Sequence, residues 1–171
     1  MSIVCCKVYD DRIEMASDSI GVRGWTQNRG ENIIYSKLTK INDILVGSVG
    51  TMEEGVLLQI YLKTRKPKDA TEDSIIEFLS EFSSWKKKRT DNPGFDGSHM
   101  LSFGGKAFTI HNYCVGEIKT YDSIGAGMDY ALSALYLGTD VKKAVETACE
   151  LSVYCEKPIV HYVINKENKN G

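Results

Sequence analysis

Residues 2–19 have the sequence SIVCCKVYDDRIEMASDS, and this stretch decides the fold. Residues 2–8 are rich in β-branched residues and cysteine, and residues 12–17 alternate polar and apolar side chains as a half-exposed strand does. The residues between them, YDDR, are typical of a turn. We therefore predict an opening β-hairpin, with Ser2 at the start of its first strand and Asp18 just past the end of its second.

The elements that follow are predicted by the same reasoning. A Gly-rich loop at 21–32 leads into a second hairpin, whose strands lie at 33–41 and 44–50. Thr51 and Thr71 each begin a helix, and the expected apolar face of the first helix is Val56, Leu57, Ile60 and Tyr61. The remaining predictions are strands at 99–103, 106–112 and 117–125 with turns at 104–105 and 115–116, helices at 128–137 and 140–154, a strand at 159–165 and a frayed tail from Lys166.

This order of elements indicates a fold class. Hairpin-connected strands form antiparallel sheets, and each pair of helices can cover the outer face of one of two stacked sheets. We predict an α+β protein with a four-layer αββα sandwich, formed as a single domain over residues 1–171.

Composition excludes several classes of function. The chain is 42% apolar and 26% charged with a net charge of −2, so it has no general attraction to nucleic acid or to an anionic membrane. The one dense basic run, WKKKRT at 85–90, is predicted to be a solvated helix end. Five scattered cysteines favour reduced thiols in a cytoplasmic protein, and no membrane span, signal peptide, metal or cofactor site is indicated.

The three histidines, His99, His111 and His161, do not form a recognisable catalytic or zinc motif. A pair between Cys5 and His99 would need the fold to bring the two together. A cysteine in a strand is more often an inert core residue, and we expect that here.

The residues that suggest chemistry are Ser2, Asp18, Lys37 and Gly50, each at or just past a strand end. A serine with a free α-amino group needs no histidine, because that amine, with an unperturbed pKa of about 8, can accept the hydroxyl proton. A nearby lysine disfavours protonation of the amine, and an aspartate can hold a cation in place. Removal of Met1 would free the amine of Ser2.

The same residues carry a resemblance to a family. The opening hairpin with Asp18, the segment SKLTKINDILVGSVGTMEE at 36–54 and the segment IGAGMDYALSALYLGTDVKKAVETACELSVYC at 124–155 together resemble proteasome β-subunits and HslV peptidases, which are N-terminal nucleophile (Ntn) hydrolases. The ordered set covers nearly the whole chain.

The resemblance implies a role for each matching residue. Ser2 would be the nucleophile and base, Lys37 would lower the pKa of the amine, and Asp18 would orient Lys37. Gly50 would supply an oxyanion donor. The backbone of Ile20 and Gly21 would pair with an extended substrate, and Ser48 would line the primary side-chain pocket.

The resemblance also implies an assembly: a homo-oligomeric ring that degrades polypeptides inside a chamber, with a separate ATP-dependent unfoldase as a partner. The chain departs from the family's pattern at Ala126, where a serine is usual, and at Ser152, where an acidic residue is frequent. Two alternatives stay open: a catalytically inactive structural or assembly subunit, and an amidase acting on a small-molecule amide.

Overall fold

The computed structural model describes residues 2–28, 32–92 and 94–166. Within these ranges the chain forms eleven strands and four helices. The strands are β1 (Val4–Val8), β2 (Arg12–Ser17), β3 (Gly21–Arg23), β4 (Thr26–Asn28), β5 (Leu38–Ile41), β6 (Ile44–Val49), β7 (Ser98–Phe103), β8 (Lys106–His111), β9 (Cys114–Glu117), β10 (Tyr121–Ile124) and β11 (Val160–Asn165). The helices are α1 (Met52–Leu62), α2 (Glu72–Lys86), α3 (Met128–Tyr136) and α4 (Val141–Leu151). Met1 and the predicted tail beyond Lys166 lie outside the described residues.

The predicted opening hairpin forms the centre of a sheet. Strands β1 and β2 pair antiparallel, with Val4 opposite Ser17, in a four-stranded sheet of order β10-β1-β2-β11. Because this register joins the start of β1 to the end of β2, Ser2 and Asp18 leave the sheet at the same end.

The second predicted hairpin, β5 and β6, lies at the edge of a five-stranded antiparallel sheet of order β5-β6-β7-β8-β9. Its register places Leu38 opposite Gly47. The Ser48 N–H donates to the Lys37 carbonyl at 2.8 Å. Lys37 is thereby held beside the last residues of β6, close to Gly50.

The two sheets and four helices form the predicted four-layer sandwich, which is confirmed. Period-2 alternation along β1 sends Val4 and Cys6 into the apolar layer between the sheets, and Cys5 toward α3 and α4. The outer face of the five-stranded sheet packs against α1 and α2 through a third apolar layer, which includes Val46, Leu58 and Phe82. Each sheet therefore buries both of its faces.

Helix α1 buries only part of the predicted face. Tyr61 is buried and Leu57 packs against the apolar core, but Ile60 is 44% exposed, and Leu58 and Leu62 are buried as well. The buried face also contains Glu54, which is 1% exposed. A face that includes a buried carboxylate does not follow the apolar periodicity, so the pattern of hydrophobic residues alone misplaces it.

Helix α2 begins as predicted, with the Thr71 Oγ1 accepting a hydrogen bond from the Ser74 N–H at 3.3 Å. Its C-terminal end corrects a prediction. Lys86 belongs to the basic run that was expected to be solvated, yet it is 2% exposed. Its ammonium group forms an ion pair with Glu54, which removes the cost of burying a lone charge.

Two further predictions are corrected by strand pairing. Strands β3 and β4 form a small hairpin inside the segment predicted as a loop, of which residues 29–31 lie outside the described ranges. The segment predicted as one strand at 117–125 is divided, because β9 pairs with β8 and β10 pairs with β1 of the other sheet. Val115 and Gly116 are part of β9 and do not form a turn. None of the described helices is long and apolar enough to span a membrane.

Candidate active site

Asp18 lies at the centre of the site. Its side chain has no exposed surface, and three backbone N–H groups donate hydrogen bonds to its carboxylate. Ile3 donates to Oδ1 at 2.9 Å, and Ile20 and Glu156 donate to Oδ2 at 3.2 Å each. These donors come from both sides of the opening hairpin and from the segment after α4. They hold the carboxylate in a single orientation.

Lys37 completes the coordination of this carboxylate. Its Nζ lies 2.7 Å from the Asp18 Oδ1, and its side chain is 14% exposed. Removal from water lowers the pKa of Lys37, and the neighbouring Asp18 carboxylate partly opposes that shift. The ammonium group is therefore tied to one anion, in a position from which it also lines the adjacent cleft.

Ser2 is held against a glycine-containing turn before α3. The Gly127 N–H donates to the Ser2 carbonyl oxygen at 3.2 Å. Gly125 has a φ of +106°, and a β-carbon at this position would overlap the same carbonyl oxygen. Ala126, at the position where the family has a serine, lies between these two glycines. The turn can therefore approach Ser2 closely only because residue 125 lacks a side chain.

A cleft of about 160 Å³ opens over these residues. Of the seven residues predicted from the sequence, six line it: Ser2, Ile20, Gly21, Lys37, Ser48 and Gly50. Asp18 lies behind them. The fold thus brings the predicted nucleophile, lysine, oxyanion donor and substrate-contacting residues to one place. Their chemical roles stay predictions.

Gly50 occupies the junction between β6 and α1. Its φ of +117° is a backbone conformation that residues with a side chain rarely adopt. A β-carbon here would also lie 3.1 Å from the Gly97 Cα. The junction turns the chain into the N-terminus of α1, where unpaired N–H groups give a partial positive charge beside the cleft.

A buried polar chain beneath the cleft was not predicted from the sequence. Ser48 Oγ lies 2.9 Å from His99 Nδ1, and His99 Nε2 lies 3.1 Å from Glu54 Oε1. Glu54 Oε2 in turn lies 2.6 Å from Lys86 Nζ. The four residues come from β6, β7, α1 and the end of α2. No local motif connects them, and only the strand register, which sets Ser48 opposite His99, could have indicated the first contact.

Glu54 is the one carboxylate of these four residues, and its anionic form is strongly stabilised. Burial alone would raise its pKa, but hydrogen bonds from His99, Lys86 and the Gly97 N–H outweigh that effect and lower the pKa to about 2. The Gly97 N–H donates to Oε1 at 2.7 Å. Glu54 is therefore an anion throughout the physiological range of pH.

The structure separates Cys5 from His99. The Cys5 thiol lies 3.4 Å from Ser123 Oγ, in the layer under α3 and α4, and burial raises its pKa to about 12. His99 instead contacts Ser48 and Glu54 beneath α1. Cys5 behaves as the inert core residue that was predicted. Among residues 2–28, 32–92 and 94–166, no group of three or more His, Cys, Asp or Glu side chains is arranged to hold a metal ion.

Comparisons with known proteins bear on the fold. The sequence matches no protein-family model and no curated protein sequence. Two solved structures of Thiobacillus denitrificans BPH are similar, one of them in complex with epoxomicin, with TM-scores of 0.85 and 0.86 at 18% identity. They cover 95% and 97% of this chain, and 98% and 99% of BPH.

Eukaryotic HslV from Trypanosoma brucei is similar with a TM-score of 0.67 at 19% identity, over 95% of this chain and 99% of HslV. At this level of identity the likeness establishes the fold alone. The chain therefore has the four-layer αββα fold of HslV, as the sequence predicted.

Proposed function

We propose that this protein is a peptidase of the proteasome and HslV type, which hydrolyses peptide bonds with Ser2 as an N-terminal nucleophile. The observation that carries the proposal is the buried pair of Asp18 and Lys37, 2.7 Å apart, at the cleft that Ser2 and Gly50 also line. A fully buried aspartate with four hydrogen-bond donors, one of them a lysine facing a cleft, is an arrangement typical of functional sites.

The proposed reaction begins when cleavage after Met1 frees the α-amino group of Ser2. The Ser2 Oγ attacks the carbonyl carbon of the substrate, and the hydroxyl proton passes to the α-amine. The positive charge of Lys37 disfavours protonation of that amine before attack, so more of the amine is available as a base. Asp18 keeps Lys37 in this position.

The tetrahedral intermediate carries a negative oxygen, which the Gly50 N–H stabilises. The protonated amine then gives its proton to the leaving nitrogen, the C–N bond breaks, and an ester to Ser2 remains. A water molecule attacks this ester, the amine again takes the proton, and Ser2 is regenerated as the acid product leaves. All the groups required belong to the chain, apart from the water.

The substrate would bind at the edge of the same cleft. Ile20, just before β3, and Gly21, the first residue of β3, would pair with an extended peptide through main-chain hydrogen bonds. We further propose, from the resemblance, that copies of the chain assemble into a ring around a chamber, and that a separate ATP-dependent unfoldase delivers polypeptides to it. The proposed compartment is the cytoplasm.

The test combines intact-mass measurement with a matched pair of variants. Protein from its native host should lack Met1 and should cleave fluorogenic peptides. Ser2→Ala should lose this activity by at least about 10³-fold, whereas Ser2→Thr, which keeps a hydroxyl group, should retain it. Epoxomicin, which BPH binds in a solved structure, should add its mass to the wild-type protein and not to Ser2→Ala.

The result that would overturn the proposal is a retained Met1, or peptide hydrolysis that survives in Ser2→Ala. A mature protein that leaves peptides intact and carries a blocked N-terminus would support the structural subunit. Hydrolysis of small amides alone would identify an amidase.

A further inference from the structure

The hydroxyl group of Ser48 lies at the floor of the cleft and has one hydrogen-bond partner among the described residues. That partner is His99 Nδ1, at 2.9 Å. Ser48 is 8% exposed, and a β-carbon at Gly55 would lie only 3.1 Å from its Cβ, so α1 supports it closely from below. The direction of this single hydrogen bond decides what Ser48 offers to a molecule in the cleft.

The groups behind His99 set that direction. The Glu54 carboxylate only accepts hydrogen bonds, so His99 Nε2, 3.1 Å away, must carry the proton between them. Lys86 already balances the charge of Glu54, and all three side chains are 1–3% exposed. With the ring proton on Nε2, the lone pair of Nδ1 faces Ser48 Oγ and accepts the Ser48 hydroxyl proton.

This chain of residues is not a second catalytic triad, although it contains a serine, a histidine and a carboxylate. His99 is 1% exposed and lies beneath Ser48. A general base in a triad must afterwards reach the leaving group, and a ring enclosed under the cleft floor has no path to it. Its function is to position the Ser48 hydroxyl group.

We propose that Lys86, Glu54 and His99 hold Ser48 as a hydrogen-bond acceptor, so that the cleft prefers a substrate side chain that ends in a neutral donor, such as the carboxamide of glutamine. The oxygen of Ser48 keeps its lone pairs toward the cleft, because its proton is committed to His99. A glutamate side chain brings further lone pairs to Ser48 and is disfavoured, since Lys37, the cation among the described residues that line the cleft, is already paired with Asp18. No carboxylate among the described residues lines the cleft, so a lysine or arginine side chain finds no counter-charge there.

The proposal rests on the proposed function only in that the ligand is a peptide, and its test measures binding without turnover. The probe is a set of fluorescent peptides that differ at the residue before the scissile bond, which is glutamine, glutamate or methionine. These side chains are nearly equal in size. Fluorescence anisotropy with Ser2→Ala should show that the glutamine peptide binds about 2- to 12-fold more tightly than the other two, the effect of one neutral hydrogen bond.

Two variants in the Ser2→Ala background identify the source of the preference. Ser48→Ala should bind the glutamine and methionine peptides equally. His99→Phe should release the Ser48 proton and weaken the discrimination between glutamine and glutamate, although Ser48 is unchanged. Each result is a ratio of affinities within one protein, so a fraction of unfolded protein does not alter it.

Equal binding of the three peptides, a ratio that survives Ser48→Ala, or no binding of any peptide would overturn the inference. Failure of the proposed function has a different signature. In that case the wild-type protein leaves the glutamine peptide intact, while the preference in binding persists.

Discussion

Lys37 Nζ lies 2.7 Å from Asp18 Oδ1, and Asp18 has no exposed surface. A carboxylate in this position loses its contact with water and depends on the donors that the fold supplies. Because Ile3, Ile20 and Glu156 occupy its remaining lone pairs, the fold directs a single oxygen to the lysine. The orientation of Lys37 is therefore coupled to the geometry of both chain segments around Ser2.

Asp18→Asn should reduce kcat for peptide hydrolysis by about 10²–10⁴-fold, because the substitution removes the anion that orients Lys37. It should also lower the free energy of unfolding by about 3–5 kcal/mol, since a buried lysine loses its partner. Glu146→Gln is the matched control, because Glu146 forms an equally short pair with Lys143, 2.7 Å, on the exposed surface. That variant should keep full activity and a stability close to that of the wild type, because solvent screens an exposed ion pair. Full activity in Asp18→Asn would contradict the proposed role.

The dependence of kcat/KM on pH should be bell-shaped. On the acidic side, activity should fall as protonation of the Ser2 amine removes the base, and this should happen at a pH below the amine's ordinary pKa of about 8, because Lys37 disfavours the protonated form. On the alkaline side, activity should decline as Lys37 loses its proton, because the neutral lysine no longer assists the amine. Burial lowers the pKa of Lys37, so this decline should begin at a pH below 10.5, the ordinary pKa of lysine. Lys37→Arg keeps a positive charge at high pH, so any activity it retains should lack the alkaline decline. An unchanged alkaline decline in Lys37→Arg would show that deprotonation of Lys37 is not its cause.

Glu54 and Lys86 should behave as a coupled pair in stability measurements. Each single variant, Glu54→Gln or Lys86→Met, should lower the free energy of unfolding by about 3–5 kcal/mol, because it leaves the other group buried without its partner. For a chain of this length, the loss corresponds to roughly 6–20 °C in Tm. The double variant should lose less than the sum of the two. Additive losses by chemical denaturation would show that the pair is not coupled.

Stability should fall with acid in a range set by Glu54. Its pKa is about 2 in the folded protein and 4.5 without the fold. A lowered folded-state pKa gives stability that is complete above 4.5, declines as the pH falls toward 2, and is absent below it. The loss is about 3 kcal/mol. Chemical denaturation between pH 5 and pH 2 should show a shallower decline for Glu54→Gln than for wild type, and equal slopes would refute this assignment.

Gly125→Ala should displace Ser2, because the new β-carbon overlaps the Ser2 carbonyl oxygen. A shift of the nucleophile by about 1 Å is expected to lower kcat by about 10²-fold. Gly138→Ala is the control, since Gly138 also has a positive φ, +93°, but has open space around it. Both variants carry backbone strain, and only the first should lose activity in peptide assays. Equal activities would mean that the turn does not position Ser2.

The fold could be predicted because its elements leave local signals. Alternation along residues 12–17 and the turn at YDDR predict the hairpin, and strand period together with helix spacing predicts the layers. The predictions for α1 and for the basic run at 85–90 failed because a charge is buried where an apolar or a solvated residue was expected. Glu54 lies on the buried face of α1, and Lys86 in a basic run supplies its partner from 32 residues away. Neither residue has a local pattern that reveals burial.

The sequence by itself determined the order of most strands and helices and the four-layer arrangement, because these depend on local periodicity. It also indicated the candidate residues Ser2, Asp18, Lys37 and Gly50, because the motifs that contain them resemble those of a known family in the same order. Only the tertiary structure decided which of them meet, and which additional residues lie beneath the cleft. Strand register and the packing of helices against a sheet bring together the hydrogen-bonded residues Ser48, His99, Glu54 and Lys86. These are long-range properties, and no stretch of neighbouring residues encodes them.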